Sequence, residues 1–338
     1  MRPSLLPRLV NGPFEDPALF IRILFKNRAI LFDLGDIQAL STRDILKISH
    51  VFVTHTHMDH FIGFDRLLRI FLGRNKKLHL FGPRGFIRNV EGKLSAYQWN
   101  LVENFTHQLS IEVTEVTGER MTSQVYDCRD RFQPRQAPED DSASSCLLKE
   151  PGLSVYAVAL DHRIPCLGLC IEEAFHINIK KDALTAMDLV PGPWIQTFKQ
   201  ALFENRPLET PIRIPRKNTV HQLSIGALRD KIAIISPGQK ISYITDVRYT
   251  QANVDPIIHL ATGSDHMFIE SAFMEKDRDV ALRKYHLTAK QAGRIAALAQ
   301  AKKMTPFHFS PRYTGDACLL EAEARESYNE VRNAPGQP

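Results

Sequence analysis

The residues best suited to chemistry lie in one short run, His55-Thr56-His57-Met58-Asp59-His60. Imidazole and carboxylate together form a ligand set that suits Zn²⁺, with Mn²⁺ or Fe²⁺ as alternatives. On a helix, side chains two positions apart point about 200° away from each other, so they converge on one ion only in a turn. The apolar run Val51–Thr54 predicts a strand before the motif, and the spacing over Phe61–Leu72 predicts a helix after it. In such a turn His55 and His57 can meet at one ion, while Asp59 and His60 can hold a second.

Three more ligand-type side chains follow apolar stretches far along the chain. His162 and its neighbour Asp161 come after one such stretch, Asp246 after another, and His308 after Thr305-Pro306-Phe307. Ligand sites in sheet-based enzymes commonly lie beyond the ends of strands. Each of these side chains alone has an ordinary structural explanation, but together with the histidine motif they predict a site for two metal ions.

The composition places the chain among ordinary globular proteins. It has 338 residues, 43% of them apolar and 24% charged, and its net charge of +5 permits a nucleic acid partner without requiring one. Five cysteines, an odd number, do not predict a disulfide framework. Cys166 and Cys170 are better explained as buried free thiols than as metal ligands. With neither a signal peptide nor the ~20 apolar residues that cross a bilayer, we expect a cytoplasmic protein without a membrane partner.

Strands and helices alternate along the whole chain, which predicts a layered α/β protein with a single domain over 1–338. The polar, proline-bearing segment 117–152 is predicted to be a long surface loop. Ile232–Ile235 and Ile241–Thr245 are predicted to pair as a hairpin across Ser236-Pro237-Gly238.

Besides the histidine motif, five segments carry a family resemblance, which are Leu31-Phe32-Asp33-Leu34-Gly35, Asp161-His162-Arg163-Ile164-Pro165, Ile269-Glu270-Ser271-Ala272-Phe273, His286-Leu287-Thr288-Ala289 and His308-Phe309-Ser310-Pro311-Arg312-Tyr313, together with Gly168 and the dipeptides Glu172-Glu173 and Thr245-Asp246. With these residues, from about Ile30 to Tyr313, the chain resembles the metallo-β-lactamase superfamily and, within it, the short form of ribonuclease Z, the tRNA 3′-processing endonuclease. The fold that this resemblance implies is the αββα sandwich, with two mixed sheets face to face and helices outside.

The resemblance also implies a role for each matching side chain. It implies two Zn²⁺ per subunit, the first held by His55, His57 and His162. The second would be held by Asp59, His60 and His308, and Asp246 would bridge the two. Asp33 would orient the histidine loop. Glu270 and His286 would form a relay at the scissile phosphate that aids proton transfer, which makes Asp59, Glu270 and His286 the candidate catalytic residues.

The implied function is removal of the 3′ trailer of precursor tRNA by two-metal phosphodiester hydrolysis. The implied partners are RNA and a second copy of the chain in a homodimer, with 173–207 similar in position to the family's tRNA-binding arm. The alternative is a phosphodiesterase or esterase of the same fold that acts on a smaller substrate. A non-catalytic RNA-binding module with a relic site is disfavoured because all seven ligand positions carry ligand-type residues.

Overall fold

Two large β-sheets with helices outside them position the candidate site. The computed structural model describes residues 3–24, 26–118, 120–137, 145–215 and 220–334. The strands are β1 (Leu5–Leu9), β2 (Leu19–Ile23), β3 (Arg28–Phe32), β4 (Ile48–Phe52), β5 (Lys76–Pro83), β6 (Leu109–Thr117), β7 (Arg120–Asp127), β8 (Pro134–Gln136), β9 (Cys146–Glu150), β10 (Leu153–Asp161), β11 (Pro165–Glu173), β12 (Phe175–Ile179), β13 (Pro211–Pro215), β14 (Val220–Ser224), β15 (Ala233–Pro237), β16 (Lys240–Ile244), β17 (His266–Glu270) and β18 (Met304–Phe307). The helices are α1 (Thr42–Ile45), α2 (Met58–Phe61), α3 (Phe64–Phe71), α4 (Phe86–Ser95), α5 (Lys181–Ala186), α6 (Trp194–Phe203), α7 (Ile225–Ile232), α8 (Gln251–Ala261), α9 (Arg278–Lys284), α10 (Ala289–Leu298) and α11 (Ala317–Arg332).

The first sheet is mixed and runs in the order β1 to β8. Its central strands β3, β4, β5 and β6 are parallel, and antiparallel strands lie on both sides of them. Successive side chains of the central strands point to opposite faces of the sheet, and both of these faces are buried. Leu31 and Val51 belong to the core that includes α3 and α4, whereas Phe32 contacts Tyr243 of β16 at 5.9 Å between ring centroids.

The second sheet has the strand order β18-β17-β16-β11-β10-β9. β16, β17 and β18 are parallel, so their carboxyl ends share one edge. Apolar residues of these strands pack with α8 and α10, for example Met267 with Ile257 and Ile295 in one core. Helices therefore cover the outer faces of two mixed sheets, and the predicted αββα sandwich is confirmed.

The chain forms two compact units. The first consists of Met1–Leu147, Tyr156–Cys170 and Lys240–Pro338, and the second of Leu148–Val155 and Ile171–Gln239. The second unit contains the antiparallel pairs β12·β15 and β13·β14 together with α5, α6 and α7. It has its own core, in which Trp194, Phe198 and Leu228 are buried. The candidate arm 173–207 lies within this unit, and the division into one domain with an arm stays a prediction.

The segment 117–152 differs from the predicted long surface loop. β7 pairs with β6 over its whole length, β8 pairs with β7, and β9 belongs to the second sheet; residues 138–144 lie outside the described residues. The polar composition was misleading because most side chains of β7 are only half-buried or exposed, and an antiparallel strand with one wet face accepts polar residues.

The predicted hairpin between β15 and β16 is also wrong. β15 pairs with β12, whereas β16 pairs with β17 in the six-stranded sheet. A proline-glycine turn signal marks a change of direction, but it does not identify the strands that pair. Within the described residues, none of the helices combines the length and the apolar character required to cross a membrane.

Candidate metal centre

The histidine motif begins in the turn after β4, as its spacing predicts, but its last three residues, Met58-Asp59-His60, belong to the short helix α2. His57 is the N-cap of α2, a helix of a single turn. Ile62 and Gly63 separate α2 from α3. Backbone bonds join this turn to the loop after β3, because Leu34 N donates to His60 O (2.9 Å) and Gly63 N to Leu34 O (2.9 Å). A Cβ atom on Gly63 would lie 2.2 Å from the carbonyl oxygen of Gly35, so the close approach of the two loops requires glycine.

Asp33 is a buried hub behind the motif. Its Oδ1 accepts the Thr54 N–H at 2.7 Å, and its Oδ2 accepts the Tyr243 hydroxyl at 3.0 Å. Its Oδ2 also lies 2.9 Å from His60 Nδ1. This contact places a proton on Nδ1 and leaves the lone pair of Nε2 for a metal. Asp33 adopts a left-handed backbone with φ +57°, which holds the carboxylate beneath the turn.

Sequence reasoning missed two of the partners of Asp33. Thr54 donates its hydroxyl to both carboxylate oxygens at 2.9 Å and precedes His55, so its position next to the motif was an available signal. Tyr243 carried none, because 210 residues separate it from Asp33. Burial and the charge of Asp33 raise the pKa of Tyr243 well above its ordinary value, so its hydroxyl stays a donor.

The structure brings all seven predicted ligand residues together within the first unit. In one group, formed by His55, His57, His162 and Asp246, the candidate ligand atoms lie within 4.8 Å of one another. The same limit holds for the second group, which consists of Asp59, His60 and His308. The candidate catalytic pair Glu270 and His286 forms a third such group with Asp246.

Asp246 directs one oxygen at each ligand group. Its Oδ2 is 3.6 Å from His55 Nε2 and 3.5 Å from His162 Nε2. Its Oδ1 is 3.5 Å from His60 Nε2 and 3.0 Å from His308 Nε2. A carboxylate in this position can be shared by two ions. Thr245 Oγ1 donates to Oδ1 at 3.0 Å and fixes the orientation of the carboxylate.

The donor atoms fit a pair of divalent cations. Two ligand atoms of a tetrahedral ion with bonds of about 2.1 Å lie about 3.4 Å apart, close to most of the separations around Asp246. His60 Nε2 is buried and has no hydrogen-bond partner among the described residues, as expected of an atom that ligates a metal. Burial lowers the pKa of His55 well below its ordinary value, so His55 is neutral and its lone pair is available.

Glu270 and His286 lie beside these groups. Glu270, fully buried at the end of β17, accepts the Val247 N–H at 2.7 Å and lies 3.0 Å from His286 Nδ1. The His286 ring is 5.0 Å from that of His162. Burial lowers the pKa of His286, but Glu270 and Asp246 outweigh it and raise the pKa to about 9. His286 can therefore hold a proton on each nitrogen at neutral pH.

The two cysteines considered as ligands are buried free thiols. Cys166 Sγ donates to the carbonyl oxygen of Asp246 at 3.2 Å, and burial raises the pKa of this thiol well above its ordinary value. A neutral thiol in this position holds the backbone of Asp246 from behind. This agrees with the interpretation from the sequence.

We expect Asp33→Asn to weaken metal binding about 10- to 100-fold, the usual effect of losing a group that orients a ligand. The amide can no longer accept from His60, Thr54 and Tyr243 together. Titration of the metal-free variant against a competing chelator measures the change. Asp36→Asn is the matched control, because Asp36 caps the exposed Gln38 N–H instead. Equal affinity in the two variants would contradict the role of Asp33.

Comparison with known proteins gives the same fold and a family. A model described as a beta-lactamase superfamily domain matches residues 171–309. The metallo-beta-lactamase fold protein YhfI from Bacillus subtilis is similar with a TM-score of 0.53 and 16% identity, over 96% of this chain and 92% of that one. The short form of human tRNase Z is similar with a TM-score of 0.51 and 18% identity, over 92% and 93%. At these identities the structural likeness shows the fold.

Sequence similarity to curated relatives is closer. A ribonuclease Z of Limosilactobacillus reuteri is 30% identical over 305 residues, which cover 88% of this chain and 83% of the relative. A ribonuclease Z of Deinococcus radiodurans is 28% identical over 287 residues, which cover 84% and 83%. The fold, the gathered ligand residues and these similarities agree with one another, and the chain belongs to the ribonuclease Z family.

Proposed function

We propose that this protein is a metal-dependent endoribonuclease that removes the 3′ trailer of precursor tRNA by phosphodiester hydrolysis. The observation that carries the proposal is the carboxylate of Asp246, with one oxygen facing each of two ligand groups. Relatives named ribonuclease Z, which match more than four-fifths of the chain, support RNA as the substrate class.

The metal we propose for both positions is Zn²⁺, with Mn²⁺ or Fe²⁺ as alternatives, because the donors are imidazole and carboxylate. His55, His57 and His162 would hold one ion, and Asp59, His60 and His308 the other, with Asp246 shared. When bound, the pair supplies Lewis acidity, which polarises phosphoryl oxygens and lowers the pKa of water.

Side chains near the proposed ions would take part in the proton transfers of the reaction. Glu270 holds the Nδ1 proton of His286, so Nε2 is the nitrogen that can give a proton to the departing 3′-oxygen. Asp59 has the most accessible carboxylate of the site, with 40% of its side chain exposed, and can accept a hydrogen bond from the attacking water. Cleavage would leave a 3′-hydroxyl on the tRNA and a 5′-phosphate on the trailer.

The proposal also includes a tRNA-binding segment, an oligomeric state and a cellular compartment. Segment 173–207 would contact the tRNA, and it lies in the second unit, which has a hydrophobic core of its own. The protein would act as a homodimer in the cytoplasm. The net charge of +5 is compatible with binding of phosphates.

The test compares two substrates for the purified protein loaded with Zn²⁺. We expect one cut in a tRNA precursor that carries a 3′ trailer, with a free 3′-hydroxyl on the tRNA product. A chromogenic aryl phosphodiester is the second substrate. Turnover of the aryl ester without cleavage of the precursor would overturn the proposal in favour of a smaller natural substrate.

Removal of the metal is expected to abolish cleavage and to lower the melting temperature by roughly 5–10 °C. An ion that binds only the folded state stabilises it by about 4 kcal/mol when its free concentration is about 1,000 times its dissociation constant. Without ions, buried Asp246 loses the positive charge that compensates it, and His60 Nε2 makes no hydrogen bond within the described residues. Calorimetry before and after chelation, and again after Zn²⁺ is restored, measures the effect. An unchanged melting temperature in fully metal-free protein would contradict it.

A further inference from the structure

Two arginines lie over one tyrosine ring at the rim of the candidate metal centre. The guanidinium carbon of Arg163 is 5.5 Å from the centroid of the Tyr285 ring, and that of Arg248 is 5.1 Å from it. The Tyr285 ring is in turn 6.4 Å from the ring of His162. An aromatic face holds guanidinium groups without neutralising their charge.

Buried bonds fix the loops that carry the two arginines. Asn253 of α8 is 2% exposed, and its Nδ2 donates to the carbonyl oxygens of Asp161 and Arg248, both at 2.9 Å. Its Oδ1 accepts the Asp161 N–H at 2.9 Å. Arg163 and Tyr285 both have left-handed backbones, with φ +66° and φ +63°. Non-glycine residues keep this conformation only where the surroundings enforce it, so the arrangement is built in advance.

The same loops carry the candidate site residues. Arg163 follows His162, Arg248 comes two residues after Asp246, and Tyr285 precedes His286. The link to the ligands is direct, because His162 Nδ1 lies 2.8 Å from the carbonyl oxygen of Tyr285 and donates to it. A group bound by the two guanidiniums would therefore lie beside the scissile bond.

The two guanidinium groups keep donors to offer. Arg248, whose side chain is 35% exposed, pairs with Asp161 through Nη1 at 3.1 Å, and no other side chain in the part of the chain that the structure describes accepts a hydrogen bond from its second terminal nitrogen. Arg163 is exposed, and no carboxylate among the described residues pairs with its side chain. Planar guanidinium donors match the oxygens of a phosphate.

We propose that Arg163 and Arg248, held over Tyr285, bind an RNA phosphate next to the scissile one and so position the substrate. The inference rests on the proposed function and adds a subsite to it. Contacts of this kind fix the register of a nucleic acid without reading its bases. The subsite therefore serves precursors of different sequence equally well.

The test measures precursor cleavage by the Zn²⁺-loaded enzyme between about 50 and 300 mM salt for Arg163→Gln and Arg248→Gln. We expect KM to rise roughly tenfold in each variant, with a smaller fall in kcat, as for the loss of one charge-assisted hydrogen bond. The dependence of log(kcat/KM) on log salt should become shallower by about 0.7–0.9 per arginine. Arg325→Gln, on the exposed face of α11, is the matched control.

Arg248→Lys keeps the charge and covers the case in which Arg248→Gln folds poorly. It should restore the salt dependence but only part of the affinity, because lysine lacks the fork of donors. If both glutamine variants keep the wild-type KM and salt dependence, the subsite is refuted while the proposed function stands. A lower melting temperature in these variants would then show that the arginines have a purely structural role. Failure of the wild-type protein to cleave the precursor would overturn the proposed function together with the subsite.

Discussion

Asp246→Ala is expected to abolish precursor cleavage, with a loss of at least about 10³-fold in kcat/KM. The carboxylate is the one group in the site whose two oxygens face both ligand groups, at 3.0–3.6 Å from four histidine nitrogens. Its removal would leave each of the two proposed ions without the negatively charged ligand that they share. It also removes one of the two carboxylates near His60 and His308, the other being that of Asp59.

Two measurements on the same sample separate loss of chemistry from loss of fold. Metal content by mass spectrometry should fall below two ions per chain, whereas circular dichroism should match the wild type. Asp246→Asn retains the contact with Thr245 but not the charge, and it should lose nearly as much activity. Asp279→Ala, an exposed position on α9, is the control. Retained cleavage in Asp246→Ala with both ions bound would refute the bridging assignment.

The sequence was sufficient for the parts of the site that depend on local geometry. The spacing of His55 and His57 predicts a turn, and the structure has that turn between β4 and α2, although Asp59 and His60 lie in the short helix α2 itself. His162, Asp246 and His308 were each predicted from an apolar run followed by a ligand-type residue. The structure brings them together because β16 and β18 end at one edge with β17 between them, and β10 ends one residue before His162. Their roles as ligands stay predictions until metal binding is measured.

The parts that could not be predicted depend on contacts between distant residues. Tyr243 reaches Asp33 across the two sheets, and Asn253 joins the loops of Asp161 and Arg248. Neither residue carries a local pattern, since each is placed by the pairing of elements far apart in the chain. The same reason explains the strands within 117–152 and the failed hairpin of β15 with β16. Strand pairing is decided by burial of whole faces, which composition alone does not show.

His286→Ala is expected to lower kcat for the tRNA precursor about 10²- to 10⁴-fold while both ions stay bound. His286 Nδ1 is held by Glu270, and the charge of Glu270 raises the pKa of the ring, which favours the protonated form. The departing 3′-oxygen of a ribose is a poor leaving group unless it receives a proton. Loss of the proton donor should therefore fall on the chemical step, whereas the ligand residues, and with them metal content, remain intact.

The leaving group provides the decisive comparison for His286. A nitrophenolate needs no proton to depart, so His286→Ala should lose far less activity on an aryl phosphodiester than on the precursor. Glu270→Gln should fall between the wild type and His286→Ala, because the amide still contacts Nδ1 but no longer raises the pKa of the ring. Equal losses on both substrates in His286→Ala would instead assign the residue to phosphate binding. That outcome would remove the proton-transfer relay and leave the metal centre as the whole catalytic apparatus.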